Sequence, residues 1–403
     1  MIWLAVPLAL LMLSAAVPMV PGRIRAPKLV FLLLFVSLTG QVFSFPLAII
    51  VAALAWMASG VAAWVLAGTA AMALFVHARN RIAGRLMLDA VGLTETRIPL
   101  LAGLTPFLTD DAKVRRVKAL VYGAHGVRNM LDVVLPKQPP AGPMPIVVHI
   151  HGGGWIMGDR GQQGKPLLHH LVQRGWMGVD ATYRLGPAER MPAMIVDVLR
   201  AIAWVRQHAA EYGGDPARIV LTGGSAGGML TALAALAHDE PAFKPGFEDA
   251  DCSVAIAVPV YGIYDLFDRN RHLRRNHEGI LDEFLGERVF PGRRSTHGEL
   301  WSALSPIERV RPDAPPMLVI HGTGDVLLPF GQSREFVEAL RRVSRAPATL
   351  IELPGIEHAY DTYSTALTWA HVRAIEAFLA PLTGRESASD LRDQEPLPSP
   401  RRP

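Results

Sequence analysis

A serine in the second half of the chain has neighbours that would suit a nucleophile. The segment Gly-Gly-Ser-Ala-Gly at 223–227 places Ser225 between an apolar β-branched run and a stretch rich in Ala and Leu. A serine on a sharp strand-to-helix turn needs small residues two positions away on either side, because larger side chains would collide in the turn. The alternatives are a glycine-rich turn without chemistry and a phosphate-binding loop, but the lysine and the spacing of a phosphate loop are absent. The motif therefore predicts that Ser225 is a nucleophile.

A second glycine-rich segment could stabilise the negative charge that a nucleophilic attack creates. His-Gly-Gly-Gly-Trp at 151–155 follows an apolar run, which is where a hydrolase with this type of nucleophile carries its oxyanion loop. Glycines let backbone N–H groups approach the substrate oxygen, and each donor is worth about 3–4 kcal/mol in the transition state. His151 is a second candidate base, but we expect it to hold the loop. The expected donors are Gly153, Gly154 and Ala226, and the spacing leaves Gly152 open.

The base and the acid that such a serine requires can be assigned downstream of it, in the chain order serine, acid, histidine. Asp325 ends the segment His-Gly-Thr-Gly-Asp at 321–325, and His358 follows the last predicted strand. Both lie at the carboxyl ends of predicted strands, where open α/β sheets bind ligands. We therefore predict a triad of Ser225, Asp325 and His358. The other titratable groups nearby are expected to be surface or supporting residues: His321, Glu357 and Asp361.

Short apolar runs alternate with helical stretches from residue 113 onward. Buried strands that alternate with helices predict a mostly parallel, doubly wound α/β sheet covered on both faces. The first two runs flank two glycines and predict a hairpin. The predicted strands are 114–122, 127–135, 145–151, 178–183, 218–222, 253–261, 316–321 and 348–353, and the predicted helices are 192–212, 226–238, 331–344 and 364–380.

Residues from about 110 to 382 resemble the α/β-hydrolase carboxylesterases and lipases related to hormone-sensitive lipase, a group that includes membrane-anchored arylacetamide deacetylase. The matching segments are the glycine loop at 151–155, Tyr-Arg-Leu at 183–185 with Pro187, Pro192 and Asp197, the Gly-Asp-Pro turn at 214–216, and Gly-Ser-Ala-Gly-Gly at 224–228. The resemblance implies esterase or lipase activity without a metal or an organic cofactor. It also implies structural roles for Tyr183, Asp197 and Asp215. The segments 321–325 and 358–361 are more similar to arylformamidase-like and feruloyl-esterase-like relatives, which leaves the acyl and leaving groups open.

The N-terminal region is apolar enough for a membrane anchor. Between residues 1 and 78 the charged side chains are Arg23, Arg25 and Lys28. Because about 20 apolar residues cross a bilayer as a helix, three helices are predicted, at about 2–20, 29–50 and 54–76. Two crossings, or a cleaved signal peptide at 1–20, are the alternatives. Basic residues favour the cytoplasmic side, so three helices would place the catalytic domain in the cytoplasm, at the plasma membrane or another cell membrane.

The remaining segments complete the predicted organisation. Residues 79–112 would form a linker or lid, 113–383 the catalytic domain with an insertion at 263–315, and 384–403 a disordered tail. The insertion is rich in arginine, which we interpret as a solvated face, with contact to lipid headgroups or an anionic substrate as the alternative. The single cysteine allows no intramolecular disulfide, and the net charge of +4 without a basic block does not indicate nucleic-acid binding.

These motifs predict a membrane-anchored serine carboxylesterase or lipase that cleaves lipophilic esters through an acyl-enzyme intermediate. Its partners would be a small lipophilic ester and membrane lipid, while the oligomeric state is open. An amidase or arylformamidase, or a membrane acyltransferase, would use the same residues. A non-catalytic ligand-binding protein on this fold would be expected to have a broken triad, whereas all three members are present here.

Overall fold

The computed structural model describes residues 27–99, 101–104, 111–273 and 275–383 of the 403-residue chain. Eight strands form one central sheet: β1 Val114–Val121, β2 Met130–Pro136, β3 Met144–Ile150, β4 Met177–Ala181, β5 Gly214–Gly224, β6 Ile256–Val260, β7 Met317–Gly322 and β8 Ala348–Leu353. Their order is β1-β2-β4-β3-β5-β6-β7-β8. β2 is antiparallel to β1 and β4, and the remaining neighbours are parallel. This topology confirms the predicted α/β sheet and its initial hairpin.

Helices cover both faces of the sheet. Alternate residues of a strand point to opposite faces, so each face has its own apolar side chains. In β3, Ile146 and Val148 belong to one apolar cluster, and Val147 between them belongs to another. The helices are α1 Pro27–Met57, α2 Gly60–Ala90, α3 Lys165–Gln173, α4 Ala193–His208, α5 Ala226–Leu236, α6 Arg275–Arg288, α7 Arg294–Ala303, α8 Phe330–Val343 and α9 Ala366–Leu379. Helices α4, α5 and α8 cover the first face, and α2, α3 and α9 cover the second. The parallel strands all end at the carboxyl edge of the sheet, so the loops that follow them lie close together at that edge.

The first two described helices form an antiparallel hairpin. Val51 of α1 packs against Leu66 and Ala70 of α2. The turn between them lies at residues 58–59, several residues after the predicted break, and the predicted helix at 2–20 lies outside the described residues. Among the described residues, α2 is the one helix that is long and apolar enough to cross a membrane by length and composition.

The second half of α2 docks on the sheet domain. Ala83 and Met87 are buried in the same apolar cluster as side chains of β7 and β8. Gly84 allows a close approach, since a Cβ on it would lie 2.9 Å from Ile98 Cδ1 and 3.0 Å from Ala370 Cβ. The first part of the segment assigned to a linker or lid, 79–90, is thus a docked helix.

The segment after α2 folds back along that helix, and the insertion adds two further helices. Arg81 donates hydrogen bonds to the carbonyl groups of Ile98 and Pro99. The insertion at 263–315 contains α6 and α7. Its arginines include Arg269, which pairs with Asp265, and Arg294, which pairs with Asp282. Both pairs are partly buried, with Asp265 and Arg294 mostly covered, and the interpretation of the insertion as a solvated face stays a prediction. The predicted tail at 384–403 lies outside the described residues.

Candidate active site

Ser225 occupies the turn between β5 and α5. Its backbone has φ 59° and ψ −123°, with φ in the left-handed region that residues other than glycine rarely adopt. The turn packs tightly on β3: a Cβ on Gly223 would lie 2.5 Å from the carbonyl oxygen of Ile150, and one on Gly227 would lie 2.1 Å from it. The Ser225 N–H donates to the carbonyl of Val260 at 3.0 Å. Close contact with the neighbouring strands therefore requires the two flanking glycines.

His358 and Asp325 lie beside Ser225, on the loops that follow β8 and β7. The His358 Nε2 atom is 2.9 Å from Ser225 Oγ, and its Nδ1 atom is 2.6 Å from Asp325 Oδ2. The other carboxylate oxygen, Oδ1, accepts the backbone N–H groups of Leu327 at 2.9 Å and Leu328 at 2.8 Å. Both the imidazole and the carboxylate are buried. The fold thus brings the three residues of the predicted triad into one hydrogen-bonded line.

Charges and hydrogen bonds together outweigh burial in setting the pKa values of the base and the acid. Burial alone would lower the pKa of His358, but the charge and hydrogen bond of Asp325, together with the charges of Glu357 and Asp361, outweigh it and raise this pKa above its usual value. Burial alone would raise the pKa of Asp325, but the charge of His358 and hydrogen bonds from two imidazoles hold it well below its usual range. Asp325 is therefore ionised at neutral pH. It can stabilise the imidazolium that forms when His358 accepts a proton.

The glycine loop lies against the nucleophile turn. A Cβ on Gly152 would lie 2.8 Å from the carbonyl oxygen of Gly224 and 3.2 Å from Ser225 Cβ. The Gly152 N–H already donates to Gln163 Oε1 at 2.7 Å, so it is not free to bind a substrate oxygen. The candidate donors whose N–H groups have no partner in the described chain are Gly153, Gly154 and Ala226. Three of the four expected positions therefore remain candidate oxyanion donors, and Gly152 does not.

His151 supports the glycine loop and makes no hydrogen bond to the nucleophile. Its Nδ1 atom is 2.8 Å from the carbonyl oxygen of Gly152, and its ring stacks on Tyr183 with centroids 4.3 Å apart. The Tyr183 hydroxyl donates to the His151 carbonyl at 2.9 Å. Burial lowers the pKa of His151 to about 4, so this imidazole is neutral at pH 7. Asp197 and Asp215 also make structural contacts, each with a backbone N–H and an arginine.

Two side chains that were expected to be surface or supporting residues, Glu357 and His321, are buried and support the site. Glu357 Oε1 accepts the N–H groups of Val326 at 2.9 Å and His358 at 2.8 Å, so it joins the acid loop to the base loop. Burial, with the charge of the nearby triad carboxylate, raises the pKa of Glu357 to about 7. His321 hydrogen-bonds to the acid. Glu357 and His321 can be recognised in the sequence because they lie near the triad residues. No spacing rule marks Gln163. Among the described residues, no group of three or more His, Cys, Asp or Glu side chains could hold a metal ion.

Comparison with known sequences indicates the reaction class of relatives. The BD-FAE family profile matches residues 131–340. The probable carboxylic ester hydrolase LipM of Mycobacterium tuberculosis is 41% identical over 268 residues, which cover 66% of this chain and 61% of that protein. Esterase LipQ of the same organism is 41% identical over 265 residues, which cover 66% and 62%. The probable isoprenylcysteine alpha-carbonyl methylesterase ICMEL1 of Arabidopsis thaliana is 31% identical over 248 residues, which cover 60% and 50%. The chain spans 50–62% of the length of these relatives.

Solved structures agree with the family match. An esterase of the Planctomycetes species Thermogutta terrifontis, Est2 with bound propionate, has a TM-score of 0.54 at 26% identity and covers 66% of this chain and 95% of that one. A truncated carbohydrate esterase from gut microbiota shares the fold, with a TM-score of 0.56 at 22% identity and coverage of 69% and 98%. The chain therefore belongs to the BD-FAE family, a group of α/β-hydrolase fold esterases related to hormone-sensitive lipase.

Proposed function

We propose that this chain is a membrane-anchored serine carboxylesterase or lipase that hydrolyses lipophilic carboxylic esters. The observation that carries the proposal is the hydrogen-bonded line in which Ser225 Oγ is 2.9 Å from His358 Nε2, and His358 Nδ1 is 2.6 Å from Asp325. A nucleophile, a base and an orienting acid in this order are typical of acyl transfer through a covalent intermediate. The names of the relatives, which include three mycobacterial esterases, support the same reaction class.

The proposed reaction begins with attack of Ser225 Oγ on the ester carbonyl carbon while His358 Nε2 accepts the hydroxyl proton. Asp325 stays ionised and stabilises the imidazolium. The carbonyl oxygen becomes an oxyanion and accepts hydrogen bonds from the open N–H groups of Gly153, Gly154 and Ala226. His358 then donates its proton to the leaving alcohol oxygen, which breaks the ester bond and leaves an acyl group on the serine.

The second half of the reaction regenerates the free serine. His358 Nε2 takes a proton from a water molecule as the water oxygen attacks the acyl carbon. The oxyanion forms again in the same place, so the same N–H donors stabilise both tetrahedral intermediates. Collapse of the second intermediate releases the carboxylic acid, and the proton returns from His358 to Ser225 Oγ. Apart from the ester and water, every group that acts in these steps belongs to the chain.

Apolar side chains beside the glycine loop support a lipophilic substrate. A Cβ on Gly154 would lie 3.9 Å from the ring of Phe284, so this ring borders a candidate oxyanion donor. Met157, three residues further along, is 61% exposed. One relative is named as an isoprenylcysteine methylesterase, and an isoprenyl group is itself lipophilic. We expect kcat/KM for p-nitrophenyl esters to rise from acetate to longer acyl chains, and a marked preference for acetate would contradict this part of the proposal.

The α1–α2 hairpin supports the proposed anchor. Trp56 and Trp64 flank its turn and are 92% and 81% exposed, and aromatic residues of this kind are enriched at membrane interfaces. Lys28 and Arg79 lie towards the opposite end of the hairpin, which fits a cytoplasmic side for that end and for the catalytic domain. The 403-residue chain should remain with membranes during alkaline carbonate extraction. Its release into the soluble fraction would contradict an integral anchor.

Labelling with a fluorophosphonate probe tests the central claim. Wild-type protein should be labelled, Ser225→Ala should not, and His358→Ala should be labelled far more slowly because the hydroxyl loses its base. Ser302→Ala, in α7, is a matched control that should label like the wild type. Equal labelling of wild type and Ser225→Ala would refute the assignment of the nucleophile. Parallel rates on an ester and its amide distinguish an esterase from an amidase, and product analysis with a competing alcohol detects acyl transfer.

A further inference from the structure

The carboxylate of Asp325 serves two imidazoles. Its Oδ2 atom is 2.6 Å from His358 Nδ1 and 3.0 Å from His321 Nε2. Its Oδ1 atom accepts two backbone N–H groups from the loop that follows it. All four contacts come from donors, which is the arrangement that keeps a buried carboxylate ionised. Only the contact with His358 leads towards the nucleophile, so the function of the second imidazole needs an explanation.

Contacts with the side chains of Asp325, Ser333 and Phe330 hold His321 in place. It lies at the end of β7, its side chain has no exposed surface, and its ring meets the ring of Phe330 edge-on with centroids 5.8 Å apart. Its Nδ1 atom is 2.5 Å from the hydroxyl oxygen of Ser333 in α8. An ionised carboxylate can only accept, so Nε2 must carry the hydrogen that faces Asp325. In the neutral imidazole, Nδ1 then accepts the hydrogen of the Ser333 hydroxyl.

We propose that His321 is a positioning residue of this active site, which orients the Asp325 carboxylate and limits how strongly that carboxylate holds a proton on His358. This inference rests on the proposed function, because it concerns the acid–base partner of Ser225. Two hydrogen bonds converge on Oδ2, so the carboxylate cannot rotate away from His358 without losing a charge-assisted bond. The same second bond withdraws negative charge from the oxygen that stabilises the imidazolium.

The two effects predict a signature that a purely structural histidine would not give. Glu357 and Asp361 also face His358 and favour its protonated form in wild type and variant alike. Without the hydrogen bond from His321, the Asp325 carboxylate would stabilise protonated His358 more strongly, and the pKa of His358 would rise. Since the base works only when neutral, the acidic limb of the profile of kcat/KM against pH would move to higher pH. Above that limb, the less ordered carboxylate would still lower kcat, while KM for the ester would change little.

The test compares two replacements of His321 in the 403-residue chain. His321→Leu keeps the volume but removes the donor, and His321→Gln keeps an N–H near the position of Nε2. We expect His321→Leu to lower kcat about 10- to 100-fold, as for loss of a hydrogen bond to a charged group, and to move the acidic limb up by about half a pH unit or more. His321→Gln should recover most of both losses. A Gln variant no better than the Leu variant, or a Leu variant with an unshifted limb, would overturn the proposal.

Two further measurements keep the result interpretable. Ser333→Ala removes the partner of Nδ1 without touching the donor to Asp325, so it should move the same limb in the same direction by less; no movement would count against the proposal. Titration of 13C-labelled histidines by NMR reads the pKa of His358 without turnover. If wild type shows no Ser225-dependent hydrolysis, the proposed function fails. The pKa of His358 must still rise in His321→Leu, and an unchanged value would overturn the inference separately.

Discussion

Replacing Gly227 with alanine is a direct steric test of the nucleophile turn. The added methyl carbon would lie 2.1 Å from the carbonyl oxygen of Ile150 and 2.7 Å from that of His151. Real Cβ contacts essentially never fall below 3.0 Å, so the closer pair must separate by about 1 Å. Both oxygens belong to the main chain, and no side chain can rotate out of the way. The displacement must therefore fall on α5, which carries Ser225 at its start, or on β3, which leads into the glycine loop.

Either displacement separates the nucleophile from the candidate oxyanion donors. A misplacement of about 1 Å at a reacting centre can lower a rate by about 100-fold. We expect Gly227→Ala to lower kcat by about that factor, with KM for a p-nitrophenyl ester changed much less, because the substrate-binding walls are not altered. Overpacking of this kind also costs about 1–3 kcal/mol of folding free energy, which thermal unfolding would measure.

A second glycine supplies the control. Gly142→Ala adds the same methyl group where nothing lies within 4 Å, on a backbone outside the left-handed region. Its kcat and unfolding temperature should match those of the wild type. A folded Gly227→Ala variant whose kcat stayed within about threefold of the wild type, a change of less than about 1 kcal/mol in the activation barrier, would show that close contact with β3 does not position the nucleophile.

The pH dependence, the glycine loop and the docking of α2 give further tests. The pKa of His358 is raised by the neighbouring carboxylate, so kcat/KM should fall as pH drops through a midpoint above the usual histidine value of about 6.5; a midpoint below it would contradict this account. Gln163→Ala should lower kcat about tenfold with little change in KM, because the Gly152 N–H loses its partner and the loop loosens; unchanged kcat would exclude this role. Gly84→Leu should destabilise the protein by about 1–3 kcal/mol in thermal unfolding, whereas Gly68→Leu, with nothing within 4 Å of its Cβ, should not.

The strands and the candidate site could be predicted because their signals are local. The run predicted at 145–151 is observed as Met144–Ile150, and the last strand is observed at its predicted bounds, Ala348–Leu353. Short β-branched runs that end in glycine mark both the strand and the loop that follows it. Since parallel strands share one carboxyl edge, residues placed after β5, β7 and β8 had to meet there. That geometric rule is why residues far apart in sequence could be assigned to one site.

Contacts that depend on packing between distant segments had no such signal. Gln163 reaches Gly152 from an irregular loop, and Ser333 reaches His321 from the next helix; neither spacing is distinctive. The start of the second strand was placed too early, because residues 126–129 form a helical turn that Asn129 stabilises by accepting the His125 N–H. Local pattern cannot show such a turn when its residues are compatible with a strand.

The N-terminal helices show a different limit. Helices were predicted at about 29–50 and 54–76, yet the first of them continues to Met57 and the turn comes after it. In a uniformly apolar region, many break points bury equivalent surface, so hydropathy alone does not choose among them. The contacts of Val51 with Leu66 and Ala70 select one, and these become visible only when both helices are placed together.

The unbroken course of α2 has a mechanical consequence. Its 31 residues span about 46 Å at 1.5 Å per residue, and its two halves face different environments without a hinge between them. Because Gly84 lets the C-terminal half of α2 pack closely against Ala370, we expect the helix and the sheet domain to move as one rigid body. If the N-terminal half of α2 lies in a bilayer, a change in bilayer thickness that tilts the helix would tilt the candidate active site by the same angle. Lipid composition would then determine how deep in the bilayer an ester can lie and still reach Ser225, with no change in the geometry of the site.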